Sequence, residues 1–479
     1  MSLFGAINTA VSGLTSQSKA FGNISEDVAN SQTVGFKRVD TSFVDYLTTS
    51  TATDNEPGAV VATPDYINNV QGSVTQTDNP LGMAIAGQGF FAVSQPTGTT
   101  STGAVTYNPQ QFYTRAGDFT MNSGGYLVNS AGQYLNGWTV DPTTKIADQN
   151  ALVPIQVNQQ TFNPVPTANV TLAANLPATP AKGSAVAGSP LSSQITVYDA
   201  LGTAHAVTLN WTQATDANGV AIPNQWAVNI QVPDAVANPA VGDPAQQDAG
   251  SADVTFGAAS GTDLAPAGAT AVSPSEGTIG SVVADGTDPG NPSVTTSSYV
   301  QAKAGTLPTT QAATVSFTTN FGSGDQTIQL NLGNYGGTSG VTQFAGSTYS
   351  LLGLTQDGVP PGSFSGVTAQ ANGNVVVNYN NGQTKTIAQI PLVTFNAPDA
   401  LQGQNGQSFT ATPSSGSPLA EAASSNGAGN LVVGSVEGSN VDIASEFTNL
   451  IVAQQAYSSN AKVVTTANTM MQATLQMVT

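Results

Sequence analysis

The side chains that most often perform chemistry are scarce in this sequence. His205 is the only histidine, and there is no cysteine. A Ser-His-Asp triad needs a histidine base, and a zinc site usually needs several histidine or cysteine ligands, so we predict neither. His205 follows a turn at the start of a β-strand pattern, and we interpret it as an exposed strand residue.

Other stretches contain residue types that could bind a ligand. Residues 285–291, Asp-Gly-Thr-Asp-Pro-Gly-Asn, place oxygen ligands at close spacing and could bind Ca²⁺ weakly. Their order does not match an EF-hand loop, which has a glutamate at its twelfth position, so a plain acidic turn is favoured. The glycines at 87, 89, 322 and 324 lack the Lys-Ser/Thr of a phosphate-binding loop. The sequence does not exclude a carboxylate pair for glycoside hydrolysis, but nothing in it places two carboxylates together.

These observations predict a protein that is not an enzyme and has no catalytic, cofactor-binding or metal-binding residues. The net charge of −19 argues against a nucleic-acid partner and against an anionic membrane surface. No apolar run reaches the ~18 residues expected for a membrane span, so we predict no direct membrane insertion. The N-terminus also lacks the basic and apolar regions of a cleavable signal peptide.

Apolar residues recur every seven positions at both ends of the chain, which predicts two helices that pack as a coiled coil. A pair of ordinary amphipathic helices capping one domain is the alternative. We call the more apolar row of each helix its first seam and the companion row its second seam. The first seams are Ile7, Leu14, Phe21 and Val28, and Ile443, Leu450, Tyr457, Val464, Met471 and Val478. The second seams are Leu3, Ala10, Gln17 and Ile24, and Phe447, Gln454, Ala461, Asn468 and Leu475.

The fold class that we predict is multidomain and mainly β, with nested β-domains inserted between the terminal helices. The helices should occupy residues 1–30 and 440–479, with an N-cap from the turn at 437–440. Residues 31–70, which contain Pro57 and Pro64, are predicted to be an irregular, partly extended connector. A first β-domain should combine 71–153 with 360–430, and an outer β-region should occupy 154–359. Within it, the proline-rich stretch 154–190 is predicted to be a linker or domain crossing. Residues 233–310 contain few large apolar side chains and are predicted to be a loop-rich insertion or small domain.

Two terminal motifs resemble the signatures of bacterial flagellar rod and hook proteins. Residues 29–38, Ala-Asn-Ser-Gln-Thr-Val-Gly-Phe-Lys-Arg, resemble the N-terminal signature, and residues 437–457 are similar to the C-terminal one. Residues 86–91 and 198–205 look like internal motifs of the same family. The terminal signature residues that we single out are Ala29, Asn30, Ser31, Gly35, Phe36, Lys37, Ser439, Asn440, Val441 and Asp442.

The resemblance implies a structural protein, and the large inserted region favours a hook subunit over the short rod members. Such a subunit would assemble with itself into a curved helical tube that transmits motor torque and encloses the export channel. It would be extracellular, exported without a cleaved signal. Its partners would include the distal rod, the hook cap, the hook–filament junction proteins and the export apparatus. A distal rod or hook–filament junction protein is the alternative within the family. A secreted β-rich adhesin or surface-layer protein is the alternative outside it, and would not need long heptads at both ends.

Overall fold

The computed structural model describes residues 3–50, 55–99, 105–141, 143–178, 190–215, 220–236, 248–257, 275–284, 294–296, 311–346 and 348–478. Over these residues the chain is mainly β, with one long α-helix near each end, and the predicted fold class is confirmed. The acidic turn at 285–291 lies outside the described residues.

The elements are numbered along the chain. The helices are α1 (Leu3–Ala29) and α2 (Ile443–Val478), with a short 3-10 helix at Pro398–Ala400. The strands are β1 (Val39–Ser50), β2 (Asn55–Tyr66), β3 (Val74–Gln76), β4 (Met83–Ala86), β5 (Phe90–Ser94), β6 (Pro96–Thr99), β7 (Val105–Tyr107), β8 (Phe112–Thr114), β9 (Thr120–Met121), β10 (Leu127–Val128), β11 (Tyr134–Thr139), β12 (Val153–Pro154), β13 (Asn169–Asn175), β14 (Leu191–Tyr198), β15 (Ala204–Thr215), β16 (Ala221–Gln231), β17 (Asp248–Phe256), β18 (Ile279–Ala284), β19 (Thr295–Thr296), β20 (Ala312–Asn320), β21 (Asp325–Asn334), β22 (Val341–Thr342), β23 (Ser350–Gln356), β24 (Phe364–Ala369), β25 (Asn374–Tyr379), β26 (Thr384–Gln389), β27 (Leu392–Thr394), β28 (Gln402–Gln404), β29 (Ser408–Thr410), β30 (Leu419–Glu421), β31 (Asn430–Val433) and β32 (Ser435–Glu437).

Two compact units divide the chain. The first combines Met1–Gln160 with Phe364–Thr479, and the second is Thr161–Ser363. The terminal helices therefore belong to the same unit as the β-structure on either side of the second unit, rather than forming a unit of their own.

The first unit is built on a sheet that joins strands from both parts of its sequence. The path β24-β25-β26-β11-β5-β8-β29-β28 runs through it, so three strands that precede the second unit lie between two groups of strands that follow it. A cluster of aromatic rings fills one side of this sheet in edge-to-face contacts. Phe90 lies 6.0 Å from Phe395 and 5.7 Å from Phe409 between ring centroids. This geometry suits the charge distribution of aromatic rings and adds to the hydrophobic gain of burying them.

A second, separate sheet in the first unit corrects the prediction for residues 31–70. Strands β1 and β2 form an antiparallel hairpin, with its register shifted around Leu47, instead of an irregular connector. Pro57 and Pro64 lie within it, opposite Leu47 and Thr41. Each strand of a two-stranded sheet has one unpaired edge, so a proline without an N–H is tolerated there, and the prolines misled the sequence-based interpretation. The hairpin packs on α1, where the Ser16 hydroxyl donates to the Val60 carbonyl at 2.8 Å.

In the second unit, the five-stranded sheet β14-β15-β16-β17-β18 and a six-stranded sheet bury side chains in one core. Two predictions are wrong in part here. The stretch 154–190 does contain the crossing between the two units, after Gln160, but it also contains β13, whose Val170 and Leu172 are buried core residues. The stretch 233–310 contains β17 and β18, which contribute Val254, Phe256 and Ile279 to the same core. This core is built from short segments of alternating apolar residues that lie within Pro/Ala/Gly-rich sequence. The average composition of such a stretch does not reveal them.

His205 is buried in the second unit, contrary to the prediction of an exposed residue. Its ring stacks on Phe321 with centroids 4.0 Å apart. Its Nε2 lies 3.6 Å from the Asp199 carboxylate, and its Nδ1 lies 3.8 Å from that of Asp234. Asp199 itself accepts backbone N–H bonds from Leu201 and Thr203, which hold the turn before β15. His205 thus packs against this turn and an aromatic ring, which the sequence pattern of a single strand does not reveal.

Candidate assembly site at the terminal helices

The two terminal helices lie side by side and run antiparallel. Near the middle of α1, a Cβ atom added to Gly13 would lie 2.8 Å from the Asn460 amide nitrogen. At the C-terminal end of α1, the Asp27 carboxylate lies within 4.8 Å of that of Glu446. Between them, Phe21 and Tyr457 meet edge to face with centroids 6.3 Å apart. The chain therefore does pair its own two ends, as the shared seven-residue period predicts.

On α1 the predicted second seam is the more deeply buried of the two. Ala10 and Ile24 are buried, and Gln17 is half-buried. The first-seam residues Ile7, Leu14, Phe21 and Val28 are all half-buried. Leu3 lies in the first turn of α1, and its side chain is outside the described residues.

On α2 the predicted second seam is wrong by one position. Glu446, Ala453 and Ala467 are buried, whereas Phe447, Gln454 and Asn468 are exposed and Ala461 is half-buried. Coiled-coil contacts step by three and then four residues, so the inward position after Leu450 is Ala453 and not Gln454. The apolar Phe447 misled the prediction, because the true inward row consists of small or polar residues.

The first seam of α2 is divided between partial burial and exposure. Leu450, Val464 and Met471 are half-buried, while Ile443 and Tyr457 are exposed. The side chains of Leu475 and Val478 are outside the described residues.

Large apolar side chains remain exposed on two flanks of α2. Phe447 and Ile451, four residues apart, share one flank, and Val452, Val463 and Met470 share another. These five side chains are between 43% and 63% exposed. Several large apolar side chains exposed along one helix indicate a surface that contacts another molecule.

A buried group of charges joins both ends of the chain to the first unit's sheet, and we call it the Glu437 junction: Lys37, Arg115 and Glu437. The Glu437 carboxylate is fully buried and accepts from Lys37 Nζ at 2.6 Å and from Arg115 Nη1 at 2.9 Å. Burial lowers the pKa of Lys37, and the Glu437 carboxylate opposes that shift. Two cations on one carboxylate compensate charges that would be costly to bury alone.

Backbone groups add further hydrogen bonds to the junction. Lys37 Nζ also donates to the Val70 carbonyl at 2.6 Å, and Glu437 Oε1 also accepts from Gly72 N at 2.9 Å. The Arg115 guanidinium donates to the Gly87 carbonyl at 2.7 Å and lies 5.2 Å over the Phe90 ring. The junction therefore links residues that are some 400 positions apart in the sequence.

The signature residues surround this junction. The Asn440 side chain accepts from Arg38 N at 2.8 Å and donates to the carbonyls of Ile67 and Val70. Asp442, rather than the turn at 437–440, caps α2, because its carboxylate accepts from the backbone N–H of Ala444 at 3.0 Å. Phe36 is buried, whereas Val441 is half-buried and has no polar role.

The remaining signature residues end α1 and shape the turns beside the junction. Ala29 is the last residue of α1, and Asn30 and Ser31 donate from their side chains to the carbonyls of Glu26 and Val28. The Ser439 hydroxyl accepts from Val441 N at 3.3 Å. These short-range bonds hold the chain ends in the conformation that the junction requires.

Three carboxylates, from Asp27, Asp40 and Glu446, form a second charged group where α1, β1 and α2 meet. Burial raises the pKa of Asp27 to about 7, against a lowering by its hydrogen bond from Val39 N. Burial also raises the pKa of Glu446. Of the described residues, these are the ones whose oxygens converge closely enough to hold a metal ion.

Comparison with known proteins bears directly on these segments. Three family models match: "Flagellar hook protein FlgE/F/G D1 domain" over residues 84–165, "Flagellar basal body protein FlaE D2 domain" over 166–359, and "Flagellar basal body rod FlgEFG protein C-terminal" over 432–477. The flagellar hook protein FlgE of Brucella abortus is 28% identical, with 97% of this chain and 96% of the relative covered. That of Escherichia coli K12 is 27% identical, with 96% and 97% covered. The chain belongs to the bacterial flagellar hook protein family. Its function is that of a structural hook subunit.

A solved structure of the Helicobacter pylori flagellar hook protein FlgE2 is also similar. It is 13% identical, has a TM-score of 0.44, and the match covers 74% of this chain and 98% of that one.

For this hook protein, two residues of the junction were missed from sequence. Arg115 lies in the middle of the β-structure, and Glu437 was interpreted as part of a turn at the start of the C-terminal signature, with no role for its charge. Charged residues make up 8% of the chain, so each charge within an apolar or glycine-rich run was a signal worth following. Arg115 follows the buried run Phe112–Thr114, which is such a place.

We expect Gly35→Ala to lower the free energy of unfolding of the first unit by more than about 2 kcal/mol. Gly35 has φ +70°, which costs a residue with a Cβ, and that Cβ would lie 2.3 Å from Ala116 N. Gly132→Ala is the matched control, because Gly132 has φ +77° with open space around it and incurs only the conformational cost. Urea unfolding with peptide-resolved hydrogen exchange measures both. Equal effects would show that the close approach to Ala116 contributes nothing.

Proposed function

We propose that this chain polymerises with itself into a curved helical tube, the hook, which transmits motor torque to the filament and encloses the export channel. The exposed apolar flanks of α2 carry this proposal. Val452 and Met470 are 60% and 63% exposed in the single chain. Neighbouring copies that cover such side chains gain roughly 25 cal/mol for each Å² removed from water. Heterologous contacts of this kind, when they do not close, generate helical polymers.

The terminal helices, residues 1–30 and 440–479, are in this proposal the layer that lines the channel. Their few charges support it: α2 carries only Glu446 and Lys462 over 36 residues. A helix exposed to solvent normally has a charged outer face, whereas α2 exposes large apolar side chains on two flanks that do not face α1.

The rest of the proposal follows from family membership. The protein would be located outside the cell in the flagellum, exported without a cleaved signal, and would act as a structural subunit and not as an enzyme. Its other partners would be the distal rod, the hook cap, the hook–filament junction proteins and the export apparatus. Neither helix in the described part of the chain combines the length and apolarity that crossing a membrane requires.

The double variant Val452→Asn/Met470→Asn tests the proposal. Losing two apolar contacts of about 1–1.5 kcal/mol each should raise the critical concentration for polymerisation by roughly 30- to 150-fold. The thermal unfolding of the monomer should change little, because both side chains are exposed in it. Sedimentation gives the critical concentration, and electron microscopy distinguishes long curved tubes from other aggregates.

Gln472→Asn is the control, a polar-to-polar change at an exposed position of the same helix. It should polymerise like the wild type. Polymers of normal yield and curvature from the double variant would exclude these flanks of α2 as contact surfaces. Straight or amorphous wild-type polymers would instead argue against a hook subunit.

A further inference from the structure

The three carboxylates at the meeting point of α1, β1 and α2 are buried in an unusual way. An oxygen of each of Asp27, Asp40 and Glu446 lies within 4.8 Å of an oxygen of the other two. Asp27 is only 1% exposed and Glu446 only 2%, while Asp40 is half-buried. Like charges held this close away from water repel strongly, so the group needs a compensating positive charge or a proton.

The protein's own cations compensate this group only in part. Arg38 Nη2 lies 3.4 Å from the Asp40 carboxylate, and Val39 N donates to the Asp27 oxygens at 3.1 and 3.3 Å. Asp442 and Glu26, close enough to affect the pKa values of Glu446 and Asp27, add further negative charge. Three carboxylates and one guanidinium leave two negative charges, which is the charge that one divalent cation neutralises.

An unsatisfied oxygen points independently to a missing ligand. Among the described residues, nothing donates a hydrogen bond to Glu446 Oε1, although this atom is fully buried. Buried polar atoms without a partner are rare, since each forfeits the free energy of its lost hydration. Asp27 and Asp40 only accept hydrogen bonds when they are ionised, so in that state neither can satisfy it; a proton on one of them is the alternative to a bound cation.

We propose that Asp27, Asp40 and Glu446 bind one divalent cation of the Ca²⁺ class, which links α1, β1 and α2. Ca²⁺ takes oxygen ligands at about 2.4 Å, so two of its ligands can be up to about 4.8 Å apart. Ca²⁺ accepts six to eight oxygen ligands in a flexible arrangement, whereas Mg²⁺ demands near-ideal octahedral geometry, so Ca²⁺ is the better match for three carboxylates supplied by three different elements. A cavity of about 340 Å³, lined by Asp40, Glu446 and Asn449 among others, leaves room for water ligands and for entry of the ion. All three carboxylates come from one chain, so the site does not depend on polymerisation.

The test compares the full-length chain in EDTA and in 1 mM CaCl₂. For the wild type we expect about one Ca²⁺ per chain in equilibrium dialysis against 150 mM NaCl. We also expect a rise of about 2–4 °C in the melting temperature of the first unit, because a ligand that binds only the folded state stabilises it. Glu446→Gln should lose that ion and the rise. In EDTA it should melt no lower than the wild type, since it removes one of the repelling charges.

Glu26→Gln is the matched control, because Glu26 is an exposed carboxylate on α1, next to the proposed ligand Asp27. It should bind and respond like the wild type. If Glu446→Gln fails to fold, Asp40→Asn, at a half-buried position, provides the same comparison. Wild-type protein that binds no Ca²⁺ would overturn the proposal in favour of a shared proton. Variants that keep the full Ca²⁺ stoichiometry would overturn it in favour of binding elsewhere on this acidic chain.

Discussion

Replacing Glu437 with alanine is expected to lower the free energy of unfolding of the first unit by about 3–5 kcal/mol. The substitution would leave Lys37 and Arg115 buried without a counter-charge, since their side chains are only 1% and 3% exposed. It would also remove the acceptor for Gly72 N. Native-state hydrogen exchange of peptides from β5 and β11 measures the loss within the first unit.

Two variants set the scale of this effect. Glu421→Ala removes a carboxylate whose hydrogen bond, to Asn426, lies at the surface, and it should change stability by less than about 0.5 kcal/mol. Glu437→Gln retains an acceptor but not the charge, so it should fall between the two. A loss of less than about 1 kcal/mol for Glu437→Ala would show that the two cations find other partners. The junction would then not be what holds the chain ends to the sheet.

The sequence could predict features that depend on local periodicity. The bounds of α1 follow from an unbroken apolar period that ends before the Asn30-Ser31 turn, and the hairpin of β25 and β26 follows from alternation around Asn381-Gly382. The family could be predicted because its terminal signatures are continuous in sequence. Predicting these features does not require knowing which residues pack against them in the folded chain.

The features that sequence reasoning missed depend on distant partners. Arg115 is functional only because Glu437, 322 positions later, lies beside it. The inward row of α2 contains Glu446 and Ala453 because it faces α1, and apolarity alone favours Phe447 instead. Strands β17 and β18 contain few apolar residues in polar surroundings, and the pairing of β17 with β16 and of β18 with β17 makes them part of a core. In each case the neighbour in space, and not the residue type, decides whether the residue is buried and what it binds.

We further expect Ala453→Asp to separate the terminal helices and to abolish polymerisation. Ala453 is buried on the face of α2 that lies against α1, and it borders the same cavity as Ala20 and Ile24. An aspartate there would bury an unpaired charge in a space filled by a methyl group, which costs at least several kcal/mol. Because the exposed flanks of α2 can meet neighbouring copies only if the helix is held in place, we propose that hooks fail to form.

Ala444→Asp is the matched control for this variant. Ala444 is exposed in the first turn of α2, where a carboxylate interacts favourably with the helix dipole, so the substitution should be tolerated. Circular dichroism at 222 nm and hydrogen exchange of α1 peptides should show a loss of helix for Ala453→Asp only. Gln454→Asp then tests the register of the two helices in the monomer. The inward row seen in the structure predicts a mild effect at Gln454, whereas helix loss at Gln454 equal to that at Ala453 would contradict this pairing of α1 and α2.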